Sequence, residues 1–241
     1  MMAEAPQLIG LGNLMMAFLP VSIVVWILYR WTREGPVSVY GLTRMLGQLL
    51  VIGYFLTFIL ESDQLLIVLA VLMVMVMVSS WIALRSIKLR RRALLVYAFM
   101  AILLGGGLSL AVSTQLVLNL QPFYSARYLI PLAGMVFASA MNSVSICAER
   151  FQSELDRGSD TSSARELALK AALIQITNSL FAVGLVSLPG MMTGQILSGV
   201  DPLIAVRYQI MVMCMLFSSA GLSAACFLYF LIRRSARSDQ C

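Results

Sequence analysis

The chain has 241 residues, of which 60% are hydrophobic and 12% are charged, and its net charge is +6. A soluble domain of this length carries roughly twice that charged fraction, and the mean hydropathy of +0.90 is strongly positive. The composition therefore excludes an ordinary soluble enzyme and predicts a single polytopic membrane domain over residues 1–241.

Seven apolar runs are each long enough to cross a ~30 Å hydrocarbon layer as a helix. The sequence predicts an all-α membrane protein with about seven transmembrane helices. The first run is not expected to be a cleavable signal, since Glu4 and no Lys or Arg precedes it. In chain order the predicted spans are Leu8–Tyr29, Val39–Leu60, Leu65–Leu84, Leu94–Leu118, Arg127–Arg150, Ala171–Leu197 and Tyr208–Ile232.

The basic residues predict the orientation. Most of the 17 Lys and Arg residues fall in the loops after spans 1, 3 and 5 and in the C-terminal tail. By the positive-inside rule, the N-terminus is expected outside and the C-terminus in the cytoplasm. This bias accounts for the net positive charge without a nucleic-acid partner.

Several classes of chemistry lack the residues they need. The sequence has no histidine, and its four cysteines are scattered without a C-x-x-C pair. It also has no Walker lysine motif and no zinc-protease helix. We therefore expect no catalytic residue and no cofactor in this chain, and no ATP hydrolysis by the chain alone.

Polar groups at membrane depth are costly and tend to face a cavity or a neighbouring helix. On span 5, a face of small and polar residues recurs at helical spacing. One interpretation is a packing stripe whose asparagine bonds across to another helix. The other is the wall of a transport path with the glutamate at its cytoplasmic mouth. The face consists of Gly134, Ala138, Asn142, Ser145 and Glu149.

Span 2 carries a second polar face, formed by Tyr40, Arg44 and Gln48. Arg44 lies near the predicted cytoplasmic end, so its side chain could snorkel to the interface. The alternatives are an ion pair with Glu149 or contact with an anionic substrate. Arg44 and Gln48 are thus candidates for the transport path.

Span 6 carries a third set of polar residues. Gln175, Asn178 and Ala182 are spaced three and then four apart, and the helix-breaking S-L-P-G of residues 187–190 follows them. In hydrocarbon, the freed backbone groups must be satisfied by protein or by water in a cavity. A broken or re-entrant segment beside a transport path is one interpretation, and an ordinary external loop is the other. The candidate path residues here are Asn178, Pro189, Gly190, Met191, Met192, Thr193 and Gln195.

The run L-V-S-L-P-G-M-M-T-G-Q-I-L-S-G-V-D-P-L-I-A-V-R-Y-Q-I resembles the signature of bacterial ABC-transporter permeases of the FetB-type iron-export family, which has plant relatives linked to aluminium tolerance. The segments I-P-L-A-G-M-V-F-A-S-A-M-N-S-V-S and R-M-L-G-Q-L-L-V-I-G-Y are also similar to this family. The resemblance implies seven spans in a bacterial inner membrane and export of iron or another metal ion. It also implies a separate cytoplasmic ATPase, which would bind ATP and magnesium, and a homodimer of the permease.

Two departures from the family pattern are visible. The asparagine of its I-P-x-x-G-M-x-x-G-N-S-M region is only loosely retained, as Asn142. The stretch after span 5 is shorter than in relatives and lacks the A-L-G-A run that resembles a coupling helix. A reduced remnant would begin at an N-cap formed by residues 160–163, and the alternative is a solvated linker. The ATPase-coupling candidates are Arg165, Glu166 and Lys170.

The substrate is less constrained by the residues. Iron would be expected to select hard oxygen ligands, whereas Met191 and Met192 are soft donors that suit copper(I) better. A secondary transporter or channel that works without an ATPase, and a non-transporting scaffold subunit, are the alternative functions.

Overall fold

The computed structural model describes residues 10–60, 64–87 and 91–238. These residues form helices joined by short connections, which confirms the all-α fold class. The helices are α1 (Leu11–Met16), α2 (Phe18–Trp31), α3 (Gly35–Leu60), α4 (Leu65–Ala83), α5 (Arg91–Ala111), α6 (Ala126–Asp156), α7 (Thr161–Ala182), α8 (Gly190–Leu197) and α9 (Pro202–Ser238), and a π-helical segment (Val112–Val117) continues α5.

Five helical stretches within the described residues are long and apolar enough to cross a membrane. They confirm a multi-pass membrane protein, whereas the count of seven spans and the orientation stay predictions. The five stretches are Leu11–Trp31, Leu65–Ala83, Arg92–Val117, Ala126–Asp156 and Pro202–Arg233.

The chain divides into two compact units, residues 1–61 and 62–241. In the first unit, α2 and α3 pack against each other. Gly35 is buried against the ring of Tyr29, and a Cβ atom at this position would overlap that ring. The prediction of one domain over the whole chain stays a prediction.

In the second unit, α5, α6 and α9 pack together, α4 lies against α5 and α6, and α7 lies against α6 and α9. The main core includes Ile102, Val136 and Phe227, which are all fully buried. A second cluster is built mainly from small side chains of α7 that face α6 and α9. Its members include Ala164, Ala168, Ala172, Cys147 and Ala224.

A glycine triplet on α5 determines how closely α5 approaches its neighbours. A Cβ atom at Gly105 would lie 2.4 Å from the backbone nitrogen of Ser223 on α9. A Cβ atom at Gly106 would lie 3.1 Å from the Phe137 ring on α6, whereas one at Gly107 would meet no atom within 4 Å. Consecutive glycines thus allow α5 to contact α9 on one face and α6 on the next.

Three predicted spans had wrong boundaries. The last span, predicted over Tyr208–Ile232, is part of the longer helix α9 (Pro202–Ser238). The span predicted to end at Arg150 continues as α6 to Asp156, because Phe151 and Glu154 extend the buried face of that helix. The span predicted over Ala171–Leu197 is not one helix, since α7 ends at Ala182 and α8 begins only at Gly190. The interruption near Pro189 was predicted correctly, although it begins at Val183, six residues before the proline.

Replacing Gly105 with alanine should lower the free energy of unfolding by about 1–3 kcal/mol, the usual range for overpacking a core. The new methyl group would meet backbone atoms of Ser223, which cannot move aside as a side chain can. Thermal unfolding of the purified protein in detergent measures the change. Gly107→Ala is the matched control: it adds the same methyl group where no atom lies within 4 Å, so it should leave stability unchanged or raise it by up to about 1 kcal/mol. Equal losses in both variants would contradict the proposed contact.

Candidate functional site

A polar pocket of about 270 Å³ lies halfway along α6, between α6, α7 and α9. Its wall consists mainly of hydroxyl and amide side chains, with three apolar residues. The lining residues are Ser139, Asn142, Ser143, Gln175, Ser179, Met135, Ile176 and Leu216. Since Ser139 is about 20 Å from the start of α6 at 1.5 Å per residue, the pocket lies at the middle of a helix that is long enough to span the membrane.

The serines of the pocket hold its three helices together. The Ser139 hydroxyl donates to the carbonyl oxygen of Leu216 on α9 at 3.2 Å. The Ser143 hydroxyl, which is one turn further along α6, donates to the carbonyl oxygen of Ala172 on α7 at 3.3 Å. The Ser179 hydroxyl donates within its own helix, to Gln175, at 3.0 Å. These hydroxyl donors are therefore already engaged with the protein.

The two amide side chains of the pocket are different. Asn142 and Gln175 are both exposed, and within the described part of the chain neither side chain makes a hydrogen bond. A carboxamide at membrane depth needs partners, since leaving an amide unsatisfied in hydrocarbon costs several kcal/mol. Water, a transported ligand or another chain must provide those partners, so the two amides are the groups available for binding.

The predicted face of span 5 lies mostly outside the packing interfaces of α6. Ala138, Asn142 and Glu149 are exposed, whereas the opposite face, including Val136 and Val144, is buried in the core. The hydrogen bond predicted from Asn142 to another helix is not formed among the described residues. The structure places Asn142 in the wall of the pocket, and its role in transport stays a prediction.

Glu149 and the span 2 residues are not part of this pocket. Glu149 is about 10 Å further along α6 and lines a separate 480 Å³ cavity with Ser86, Gln152 and Arg157. Arg44 and Gln48 are exposed on α3, in the first unit. The ion pair between Arg44 and Glu149 stays a prediction. So do the snorkelling of Arg44 to the interface and its contact with an anionic substrate.

On α7, Gln175 and Ser179 line the pocket, whereas Asn178 does not. Residues four apart lie on one face of a helix, so Gln175 and Ser179 reach the same wall. The place of Asn178 in a transport path stays a prediction. Asn178 is exposed outside the pocket wall.

The segment between α7 and α8 forms a turn that satisfies several of its own N–H groups. Gly184 adopts a φ of +84°, and the N–H groups of Leu185, Val186 and Ser187 all donate to the Ala182 carbonyl oxygen, at 2.8–3.2 Å. The Gly184 N–H donates to the Ser187 carbonyl oxygen at 3.0 Å. The protein itself therefore supplies these partners, which is one of the two sources expected from the sequence, and a transport path beside the interruption stays a prediction.

Pro189 is the N-cap of α8, and its carbonyl oxygen accepts from the Thr193 hydroxyl at 3.1 Å. Gly190 begins the helix and is exposed, Met191 packs against the main core, and Met192 is half-buried. Residues 189–195 do not line the polar pocket on α6 and α7. Their place in a transport path stays a prediction.

Two glutamines carry buried oxygen atoms without a hydrogen-bond partner in the described structure. They are Gln195 of α8 and Gln209 of α9, and these two helices pack against each other. Gln209 is only 6% exposed. Gln209 was not among the residues predicted from the sequence. It is a polar residue at the second position of the last predicted span, and that position was the signal that could have identified it.

The connection between α6 and α7 is a tight corner of residues 157–160, organised around one buried carboxylate. The Glu154 side chain is 7% exposed, and its Oε1 atom lies 2.8 Å from Arg150 and 3.5 Å from Arg157. Its Oε2 atom accepts from the Ser159 hydroxyl at 3.0 Å. These contacts tie the last turn of α6 to the corner that follows it.

The predicted N-cap of α7 is present. The Asp160 carboxylate accepts from the N–H groups of Ser162 and Ser163, at 3.0 and 3.1 Å. Hydrogen bonds from the Ser163 side chain and from these N–H groups hold the pKa of Asp160 below its ordinary value. Because the pKa is lowered by folding, this contribution to stability is present above the ordinary pKa and is lost as the pH falls through the lowered value.

The three coupling candidates lie on the exposed side of α7. Lys170 pairs with Glu166 one turn away, at 2.5 Å, and its hydrogen bond lowers the pKa of Glu166. Arg165 and Glu166 line a groove against α9. Their contact with an ATPase stays a prediction.

No group of three or more Cys, Asp or Glu side chains in the described part of the chain could hold a metal ion. The pocket offers only neutral oxygen and nitrogen atoms and the Met135 thioether. A tightly bound resident metal does not fit such a donor set, since hard cations select anionic oxygen ligands.

Comparison with known proteins assigns the chain to a family. The model of the uncharacterised protein family UPF0014 matches residues 11–165 and 159–235. The chain belongs to this family.

A UPF0014 membrane protein of Synechocystis is 36% identical, with 75% of each chain covered. The probable iron export permease protein FetB of Escherichia coli is 34% identical over 79% of each chain. The protein ALUMINUM SENSITIVE 3 of Arabidopsis thaliana is 31% identical over 79% of this chain and 74% of its own. No solved structure matches.

The UPF0014 match confirms the resemblance inferred from the sequence. Its two stretches overlap at residues 159–165, at the end of the corner between α6 and α7 and the start of α7. This is the region that the sequence predicts to be shorter than in relatives, and whether it retains a coupling remnant stays a prediction.

Glu154→Gln should lower the free energy of unfolding by about 1–2 kcal/mol, because the buried carboxylate loses its charge-assisted bonds to two arginines that are themselves partly screened by solvent. Thermal unfolding in detergent measures this loss, and faster tryptic cleavage after Arg157 should accompany it. Asp156→Asn is the control, since this exposed carboxylate accepts only from Gln152 among the described residues. A loss as large in the control would show that Glu154 does not organise the corner.

Proposed function

We propose that this chain is the membrane-spanning permease subunit of a transporter that exports iron or another metal ion, driven by a separate ABC-type ATPase. The observation that carries the proposal is a polar pocket halfway along α6, a helix long enough to span the membrane, with two unengaged amides, Asn142 and Gln175. Similarity to the Escherichia coli protein named a probable iron export permease supports the choice of substrate. A bacterial inner membrane is the proposed location.

The pocket also suggests the form in which a metal would cross. Its hydroxyl and amide oxygens are hard donors of the kind that iron selects, but none of its lining residues is charged. A bare multivalent cation in a low-dielectric site would require opposite charge nearby. The substrate is therefore proposed to keep part of its water or of another ligand shell, which the two amides would contact by hydrogen bonds.

ATP is proposed to act through a partner, because this sequence has no Walker lysine motif. The proposed contact is the corner of residues 157–160 together with the start of α7. Glu154 fixes this corner, and the pocket lies on the same two helices about 20 Å away. A rigid corner could pass displacement along the hairpin to the pocket. A homodimer of the permease, with two ATPases, completes the proposal.

Asn142→Ala combined with Gln175→Ala should reduce iron export at least about tenfold, since each lost hydrogen bond to a charged or polarised ligand corresponds to roughly 1.5–3 kcal/mol. The measurement is iron efflux from proteoliposomes that contain the permease and its ATPase. Asn178→Ala is the matched control, because this exposed amide of α7 lies outside the pocket wall. Unchanged flux in the double variant, or an equal decrease in the control, would exclude the pocket as the binding site.

A photo-crosslinking side chain at Asp156 should capture a protein with a Walker lysine motif from the native membrane. The same probe at Arg207, at the opposite end of the described bundle, should capture none because the ATPase contacts only the corner. Mass spectrometry of the crosslinked product identifies the partner. Reconstituted transport without any ATPase would contradict the ABC mechanism and favour a secondary transporter, and partner capture without transport would favour a scaffold.

A further inference from the structure

A groove of about 610 Å³ runs between the first half of α7 and the last part of α9. Its volume falls in the range of roughly 300–1,000 Å³ that is typical of small-molecule sites. The polar pocket on α6 shares none of its lining residues. We call it the α7–α9 groove and define it by Arg165, Leu169, Leu228, Tyr229, Ile232 and Arg233.

Two arginines give the groove a positive rim. Arg165 is exposed and forms no salt bridge in the described part of the chain. The Arg233 guanidinium lies 5.8 Å from the centre of the Tyr229 ring, and its Nη1 atom donates to the Tyr229 hydroxyl at 3.0 Å. Glu166 also lines the groove, but Lys170 pairs with its carboxylate. The uncompensated charge at the groove is therefore positive and comes from one arginine on each helix.

The floor of the groove is apolar. Leu228 is 2% exposed, Leu169 and Ile232 are half-buried, and Ala225 presents a small exposed side chain beside them. An aliphatic chain laid on this floor would cover apolar surface that has no partner in the described structure. The groove thus offers a cationic end and an apolar end to the same ligand.

The position of the groove matches the boundary between hydrocarbon and head groups. The candidate membrane span of α9 ends at Arg233, and the apolar part of α7 begins after Lys170. Other basic residues lie at this same end of the unit, among them Arg85 after α4 and Arg92 at the start of α5. Such basic end regions attract anionic lipids, at about 1 kcal/mol for each Lys or Arg near the surface.

We propose that the α7–α9 groove binds one anionic phospholipid, with the phosphate at Arg165 and Arg233 and an acyl chain on Leu169, Leu228 and Ile232. The charge complementarity and the apolar floor favour a lipid over a soluble phosphate compound, which would leave the floor empty. The proposal does not depend on transport, since the groove shares no residue with the polar pocket, and it is tested on the permease alone because Arg165 is also a candidate for contact with an ATPase.

The test uses the full-length protein in detergent, titrated with phosphatidylglycerol and followed by native mass spectrometry and thermal unfolding. Phosphatidylglycerol should bind and raise the unfolding temperature, whereas zwitterionic phosphatidylcholine should not. Arg165→Gln combined with Arg233→Gln should weaken this binding about 30-fold, since two surface cations are removed. Arg85→Gln combined with Arg92→Gln is the matched control: it removes the same charge at the same end of the unit but outside the groove, so it should weaken binding much less.

A further variant tests the apolar floor without changing charge. Ala225→Trp places a large ring in the groove from an exposed position, so it should reduce phosphatidylglycerol binding while leaving the unliganded unfolding temperature unchanged. Inorganic phosphate and glycerol 3-phosphate test the soluble alternative and should produce no stabilisation.

Four outcomes would overturn the proposal. They are the absence of any stabilisation by phosphatidylglycerol, an equal loss of binding in both arginine pairs, an equal effect of soluble phosphate compounds, and full binding by the Ala225→Trp variant. The second would indicate diffuse electrostatic attraction, and the third would indicate a soluble phosphate site.

Discussion

The packing of this protein depends on backbone contact between helices in an apolar solvent. Lipid tails solvate a leucine as well as a protein core does, so burying large apolar side chains provides little force for helix association in a membrane. Close van der Waals contact and hydrogen bonds between helices have to provide it instead. Gly105 meets this requirement by bringing α5 against the backbone of Ser223, and the buried Ser219 hydroxyl bonds the α6 carbonyl of Val136 at 3.0 Å.

The same requirement explains why a polar pocket exists among these helices. Serines that bond to the backbone of a neighbouring helix, such as Ser139 and Ser143, are small and leave space beside them. The pocket occupies that space, and larger amides from α6 and α7 reach its wall. The hydroxyl groups connect the helices, whereas the carboxamides of Asn142 and Gln175 form no hydrogen bond within the described residues. The proposed binding groups are therefore not the atoms that hold the bundle together.

The sequence was sufficient for features that depend on local chemistry. Apolar length predicted the membrane helices, and Asp160 followed by Thr161, Ser162 and Ser163 predicted the start of α7. Features that depend on tertiary contact could not be predicted from the sequence. The extension of α6 to Asp156 rests on Glu154, a residue that reads as a solvated charge in sequence but lies buried between two arginines. Whether Asn178 or Ser179 faces the pocket depends on the rotation of α7, which its alanine contacts set and its own polar spacing does not.

The interruption before α8 shows which part of a physical requirement can be met by local turn chemistry. Non-helical backbone in hydrocarbon needs hydrogen-bond partners, and the sequence alone left open whether protein or water supplies them. In the structure, three N–H groups of the segment donate to one acceptor, the Ala182 carbonyl oxygen, with Gly184 providing the left-handed conformation that the turn needs.

Helix α7 ends at Ala182. It contributes to three features of the second unit: the corner at Asp160, the groove at Arg165 and the pocket at Gln175. Its contacts with α6 and α9 are made largely by Ala164, Ala168 and Ala172, and small residues of this kind let membrane helices approach closely. Because the corner and the pocket wall lie on this one closely packed helix, a displacement of α7 would change both of them together.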